Sequence, residues 1–408
     1  MSAKAMPTAR AALRWFSAAA ALAATGGISY RAYRQGLLRT QDKSLDAWRA
    51  FETHAHAGAD RLVAAAVLAA SPHNSQPWRF TVGRGEILVH ADFERALGAM
   101  DPYEREMFIG LGCALENMAI AAPGAGFATE IALRPSSSRE LAARVTLSSA
   151  PEAATHRLEA AISRRRTDRG PYELMRKIDN ETLDALHGEA GTGAFDLVFL
   201  PSESEEARRF GALTLEATRD IIADAPMSHD SARWYRQDQT LIDARRDGLT
   251  MQTQELAPWL ATLARMIPQS SQSSQQSSHA VWLKNTREVQ LATAAHLGLF
   301  VVPKHRLLDD GVSLQVGRAW QRLQLAATLR GLACQPMNQI PERICRERQL
   351  GHEPKMQSAA EQQLFLNGGL PTFCFRMGVP TREVPHSPRR PVEAVRSFGE
   401  GAQARTEG

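Results

Sequence analysis

A chain of 408 residues with 44% hydrophobic content is long enough for a substantial core and for more than one domain, which excludes disorder of the whole. Its 48 Lys+Arg stand against 44 Asp+Glu, a net charge of +4 with no dominant basic block, and only 6% of residues are aromatic, so no nucleic-acid partner is expected. Four cysteines, Cys113, Cys334, Cys345 and Cys374, lie far apart without a C-x-x-C pair or a His at ligand spacing, which supports neither a zinc site nor a disulfide framework.

At the N-terminus Lys4, Arg10 and Arg14 precede an apolar run over residues 15–30, and Arg31, Arg34 and Arg39 follow it. The run is shorter than the ~20 residues of a typical spanning helix and reads as a signal sequence or short membrane anchor. Residues 1–45 are therefore set apart from the fold, and the chain is expected to be membrane-anchored or exported to the periplasmic side. An amphipathic surface helix is the alternative.

A first lobe is expected over residues 46–150. Residues 60–70 are rich in Ala and Leu and read as a helix, which Ser71-Pro72 ends. Two short β-rich runs, 78–82 and 86–90, flank Gly83 and Gly85 and read as a hairpin. A long helix follows at 104–122, closed by Pro123-Gly124, and then a strand at 141–147. The second lobe, residues 151–396, opens with a helix at 156–166, a strand at 196–200 and a helix at 203–223. Residues 226–267 are helical in composition, whereas the Ser/Gln tract at 268–279 predicts a flexible loop. Helices at 279–296 and 315–332 alternate with strands at 299–303 and 372–377, and residues 397–408 are expected to be a disordered tail.

Setting Gly112 against Gly317 aligns residues 112–128 with 317–333 without a gap. Ala114 meets Ala319, Glu116 meets Gln321, Ile120 meets Leu325 and Gly126 meets Gly331. This suggests an internal repeat, although Ala-rich helices often look alike.

Four polar motifs carry the candidate chemistry. In Ser71-Pro72-His73-Asn74-Ser75-Gln76-Pro77-Trp78, two prolines fix a loop that displays polar side chains and backbone N–H groups fit to meet a flat heterocycle. An ordinary Pro-bounded turn is the plainer account. Arg164-Arg165-Arg166-Thr167-Asp168-Arg169-Gly170 gathers guanidinium forks and a hydroxyl, the donors that phosphate oxygens accept from; a solvated charge cluster is the alternative. Ser387-Pro388-Arg389-Arg390-Pro391 holds an Arg pair in extended backbone, as a reach toward an anion or as a basic tail. Gly331-Leu332-Ala333-Cys334-Gln335-Pro336-Met337-Asn338-Gln339 ends the second repeat helix and could bring main-chain N–H groups to a ligand edge.

Together these runs resemble the FMN-dependent nitroreductase superfamily. The first is similar to that family's flavin-facing S-P-x-x-N-x-Q-P-W-x-F loop. The second is similar to its R-x-S-x-R/K phosphate motif, with Thr167 at the Ser position and Arg165 and Arg169 beside it. The runs D-P-Y-E-R-E-M-F-I-G-L-G-C-A-L-E-N, R-D-G-L-T and S-P-R-R-P-V-E resemble the fused, Acg-type branch more closely. The resemblance implies an α+β, nitroreductase-like fold: two tandem degenerate repeats forming a pseudo-dimer, with mixed and antiparallel sheets flanked by helices.

It also implies one FMN per chain, because the Pro-bounded loop stands in one half and the Arg/Thr motif in the other. The implied cofactor-binding residues are Ser71, His73, Asn74, Gln76, Arg165, Arg166, Thr167, Arg169, Met337, Asn338, Arg389 and Arg390. The implied activity is hydride transfer from reduced FMN to a nitro, quinone or similar flat acceptor, with NAD(P)H as donor and no catalytic side chain or metal. Arg169 would stabilise the reduced flavin's negative charge, and His73 is a candidate to protonate product. Two rivals remain: a flavin-sequestering protein with little turnover, and a membrane-tethered helical binding module without flavin.

Overall fold

The computed structural model describes residues 42–254 and 271–399. The N-terminal apolar run expected to anchor or export the chain therefore lies outside the described residues, as does the end of the expected tail. Among the described residues no helix is long and apolar enough to cross a membrane.

The first lobe opens with helix α1 (Asp46–Glu52), α2 (Gly58–Ala66), the hairpin β1 (Trp78–Gly83) and β2 (Glu86–Ala91), α3 (Arg105–Ala121), β3 (Phe127–Leu133) and β4 (Leu141–Ser149). The second continues with a single turn α4 (Glu159–Ile162), α5 (Asn180–Ala190), β5 (Asp196–Pro201), α6 (Glu205–Ala223), α7 (Ala225–Ala232), β6 (Tyr235–Arg236), α8 (Gln239–Arg245) and β7 (Leu249–Thr250). After the undescribed stretch come α9 (Ser271–Asn285), β8 (His296–Pro303), α10 (Asp310–Leu329), β9 (Ala333–Pro336), α11 (Gln339–Leu350), α12 (Lys355–Gln363), β10 (Gly369–Gly378) and β11 (Arg396–Phe398).

The two main sheets run β11-β1-β2-β4-β3 and β5-β8-β10-β9. With the short β6-β7 pair and β11 set aside, each sheet takes two strands before its long helix and two after it. Each orders them in space as first, second, fourth, third. Every pairing within these two sets of four is antiparallel. β11 is the exception. It crosses from the second half to lie parallel to β1, Phe80 beside Arg396, and so draws the preceding segment over the first lobe.

Helices α3 and α10 cross at the aligned glycines. A Cβ on Gly317 would collide with the Ile109 carbonyl, and one on Gly112 with the Leu314 carbonyl, so only glycine allows the backbones to meet. Polar groups flank the crossing: Gln321 Nε2 donates to Asn117 Oδ1 at 2.8 Å, and buried Glu116 pairs with Arg318 at 2.9 Å and Arg322 at 2.5 Å. Asp309 starts α10 by accepting from Val312 N at 3.0 Å, earlier than the apolar pattern alone marks its beginning.

Several sequence expectations need correction. The Ser/Gln tract is helical from Ser271 onward, as part of α9, rather than a loop. Gln is a fair helix former and Ser no breaker, and a helix already nucleated downstream propagates through such residues without apolar burial. The helix at 156–166 shrinks to one turn, because the arginines after Ile162 leave the helix to build the site. Residues 226–254 break into two short helices and a two-stranded pair instead of continuous helix. Residues 397 and 398 belong to β11, so the tail begins later than expected. Strands β3 and β9 and helices α11 and α12 were not foreseen; β3 alternates half-buried with exposed residues and gives little apolar signal.

Gly317→Ala is expected to destabilise the chain by roughly 2–3 kcal/mol, since neither backbone can retreat from the crossing. Gly188→Ala, on an exposed face of α5 with no atom near the new methyl, is expected to stabilise by about 0.5 kcal/mol. Thermal unfolding of the two variants checks the contrast.

Candidate functional site

Between Ser71 and Gln76 the backbone takes the left-handed region three times, at His73 (φ 49°), Asn74 (φ 53°) and Gln76 (φ 51°). Such non-glycine residues each cost on the order of 1 kcal/mol or more, so the surroundings must fix them. Ser71 Oγ accepts from Gln76 N at 3.0 Å and closes the loop on itself. The Asn74 amide donates to Gly248 O at 3.1 Å and Pro388 O at 3.0 Å, while its oxygen accepts from Arg389 Nη1. Fully buried Gln76 donates to Arg246 O and accepts from Arg390 N, both at 2.8 Å. These two side chains tie three distant segments together.

The Arg/Thr motif is held from the opposite side. Thr167 bridges to Cys334 of β9, and Asp168 Oδ1 accepts from Gly170 N at 2.7 Å. Arg376 of β10, completely buried over the Tyr172 ring at 4.0 Å, donates to Gly170 O at 2.6 Å and to Asp168 O at 3.4 Å. Tyr172 adds its hydroxyl to the same Asp168 carbonyl at 2.9 Å. The turn that presents Thr167 is thus fixed by the second sheet, whereas the Asn74 side chain is fixed by Gly248, Pro388 and Arg389.

The two motifs face one cleft of about 460 Å³, open solvent at its mouth included. Ser71 and Asn74 line it from one side, Arg165, Arg166, Thr167 and Arg169 from the other, and Arg389 closes it. Gly248, Leu249 and Thr253 contribute a further wall.

The charges in this cleft do not balance. Arg165 and Arg389 are each only 2% exposed, and among the described residues neither forms an ion pair. Arg165 meets neutral oxygens of Gln324 and Leu68 at 3.4 and 3.5 Å, Arg389 meets Ser387 Oγ, Pro388 O and Ala69 O, and the Nε of each has no partner. Burial, with Arg166 nearby, pulls Arg165 down to about 10. Arg389 lies far below the usual guanidinium value through burial and then through Arg165. Among the described residues Arg166 forms one ion pair, with Glu383 at 3.1 Å, a carboxylate 81% exposed, and its Nε has no partner. Buried cations in such company call for an anion, and a hydroxyl and several N–H forks stand ready to receive its oxygens.

Not every expected residue lines this cleft. His73 turns to Ser231 Oγ at 3.0 Å, and burial with Arg169 nearby lowers its pKa to about 4. Gln76 and Arg390 act as struts, Arg390 Nη1 donating to Gln76 O at 3.3 Å. Met337 is buried in the core, and Asn338 Oδ1 accepts from Cys374 N at 2.9 Å. The cause is β9, whose pairing with β10 carries residues 337 and 338 into the interior. Conversely, Gly248, Leu249 and Thr253 were not foreseen as site residues. The Asp-Gly step in R-D-G-L-T was the available signal, since Gly248 needs φ +77° and a Cβ there would strike the Trp234 carbonyl.

The molecule so far is an α+β chain with two main sheets and an arginine-rich cleft lined by residues from both halves of the sequence. No model of a known protein family matches it. By sequence it is 25% identical over 336 residues to a Mycobacterium tuberculosis H37Rv protein provisionally named NAD(P)H nitroreductase Rv3131, covering 81% of this chain and 88% of that one. It is 36% identical over 107 residues to the M. tuberculosis protein provisionally named NAD(P)H nitroreductase acg, covering 26% of this chain and 32% of that one. A solved FMN-dependent nitroreductase NfnB from Mycobacterium smegmatis, in complex with NADPH, shares 14% identity and covers 59% of this chain and 97% of its own, but at a TM-score of 0.36 the superposition bears no weight. Over most of its length the chain is thus similar in sequence to a protein named as an NAD(P)H nitroreductase.

Two outcomes test the cleft. Arg165→Met should leave the ligand-free chain as stable as before or raise it by about 1 kcal/mol, because it removes an uncompensated buried charge. The same change should abolish the rise in melting temperature that added phosphate gives the unaltered chain. His73 predicts a pH effect: its folded pKa lies below the ordinary 6.5, so stability present above pH 6.5 is lost as pH falls through about 4. His73→Gln should flatten that fall in a series of thermal melts.

Proposed function

We propose that the cleft holds the phosphate of FMN and that the chain is an NAD(P)H-linked oxidoreductase of nitroreductase type. The observation that carries this reading is the meeting of Arg165 and Arg389, both buried and without a carboxylate among the described residues, beside Thr167 and Ser71. A phosphate monoester carries about −1.5 to −2 charge at pH 7, which matches that surplus. Arg165, Arg166, Arg389 and Thr167 would hold the phosphate oxygens, and Ser71 and Asn74 would border the rest of the molecule. When bound, FMN supplies two-electron chemistry toward a nitro, quinone or similar flat acceptor.

The chain's own part is to bind, orient and exclude water. Arg169, whose Nη1 donates to Thr253 O at 3.2 Å, keeps a cation in the cleft wall where negative charge is favoured. His73 is poorly suited to the proton-donor role considered from sequence, because a pKa of about 4 leaves it neutral at pH 7. The shared strand order of the two sheets and the glycine crossing support a fused pseudo-dimer with one site. Membrane anchoring or export remains part of the proposal on the composition of residues 1–41 alone.

One feature favours the sequestering alternative. Residues 246–253 are bound to the site loops through Gln76, Asn74 and Arg169 and form one wall of the cleft, which we read as part of a shield over a bound flavin. Anaerobic mixing with NADH or NADPH separates the readings: the oxidoreductase loses the flavin's blue absorption with at least one donor, whereas a sequestering protein is bleached by dithionite alone. Arg165→Ala is expected to weaken FMN binding about 10- to 100-fold in a fluorescence titration, the worth of a charge-assisted contact. Unchanged affinity contradicts the assignment.

A further inference from the structure

We propose that Trp48 and His386 form a positioning clamp that sets the Arg389 guanidinium in the anion cleft. The inference rests on the FMN reading above and adds a part of the chain that the sequence motifs do not touch.

The clamp is built by the short segment 42–52. Asp42 Oδ1 accepts from the backbone N and hydroxyl of Ser44 at 2.9 and 2.6 Å, fixing a residue only 1% exposed. The Ser44 carbonyl then accepts from Arg389 N at 3.0 Å. One turn later, Trp48 of α1 donates from Nε1 to Ser387 O at 2.9 Å. Its ring stacks on His386, centroids 4.1 Å apart and planes 26° from parallel, and the Arg389 guanidinium lies 5.0 Å from the same ring. The backbone of residues 387 and 389 and the side chains of 386 and 389 are therefore all referred to the segment 42–52.

Such a support has a physical task. Arg389 and Arg165 repel each other in a buried setting, and among the described residues no carboxylate pairs with either. An unsupported strap could relieve that repulsion by swinging outward, at the expense of the cleft's shape. The aromatic face offsets part of the repulsion through cation–π attraction and keeps the guanidinium in place before any anion arrives. His386 suits this position because it stays uncharged: burial, then Arg166, Arg165 and Arg389, lower its pKa to about 3. Among the described residues its Nδ1 has no partner, so its role is to fill and stack.

The test compares FMN with riboflavin, which lacks the phosphate, by flavin fluorescence on the full chain, with thermal melts alongside. Trp48→Ala should weaken FMN binding about tenfold or more and leave riboflavin binding as it was, the loss being confined to the phosphate end. Trp48→Phe, which keeps the face but not the N–H, should recover most of that loss. His386→Ala leaves α1 in place and should produce the same selective weakening, which keeps the test decisive where Trp48→Ala does not fold. Equal weakening of both flavins, or FMN affinity unchanged in His386→Ala, overturns the clamp. If the unaltered chain fails to prefer FMN to riboflavin, the cofactor reading falls first and the clamp with it.

Discussion

The arrangement depends on two buried guanidinium groups, Arg165 and Arg389, that have no counter-ion among the described residues. Elsewhere most buried arginines stand beside a carboxylate: Arg61 has Glu159 at 2.9 Å, Arg105 has Glu106 at 2.9 Å and Arg346 has Asp224 at 2.9 Å, while Arg376 is surrounded by carbonyls. Arg165 and Arg389 depart from that pattern while standing side by side. A fold that gives most of its interior guanidinium groups a carboxylate and leaves these two facing each other is the ground for our proposal that the cleft receives an anion. The cost falls on the ligand-free state, and each lobe brings supports that keep the pair together.

Those supports explain the architecture. The glycine crossing of α3 and α10 locks the two halves into one body, so that a loop from the first can face a turn from the second. The C-terminal segment returns from the second sheet to pair β11 with β1, and on the way lays Arg389 between them. The matching strand orders invite comparison of the loops that enter β1 and β5. Before β1 stand Ser71, His73, Asn74, Ser75 and Gln76, whereas before β5 stand Gly191, Thr192, Gly193 and Ala194, too few polar side chains for a second such loop. That contrast supports our proposal of one site per chain.

Sequence alone made much of this readable where the signal was local. The hairpin, the two long helices, the aligned glycines and the Arg/Thr and Pro-bounded motifs follow from periodicity, Gly and Pro placement and residue chemistry, and Asn74 and Thr167 do share a cleft. What escaped depended on distant partners. Whether Gln76 and Arg390 touch ligand or each other is decided by a contact across more than three hundred residues of chain. Met337 and Asn338 read as ligand contacts until β9 pairs with β10 and draws them inside. Trp48 gave no sign of its role, since a tryptophan in a short helix is ordinarily core, and only the returning strap gives it a function.

The account's central claim is that the paired arginines receive a phosphate. A crystal structure of the chain grown with FMN tests it most directly. The account predicts density for one flavin per chain, with its phosphate oxygens in hydrogen-bonding contact with both Arg165 and Arg389 and the Thr167 hydroxyl beside them. Flavin density with the phosphate elsewhere, or a saturated crystal with the two guanidinium groups still facing each other alone, contradicts it.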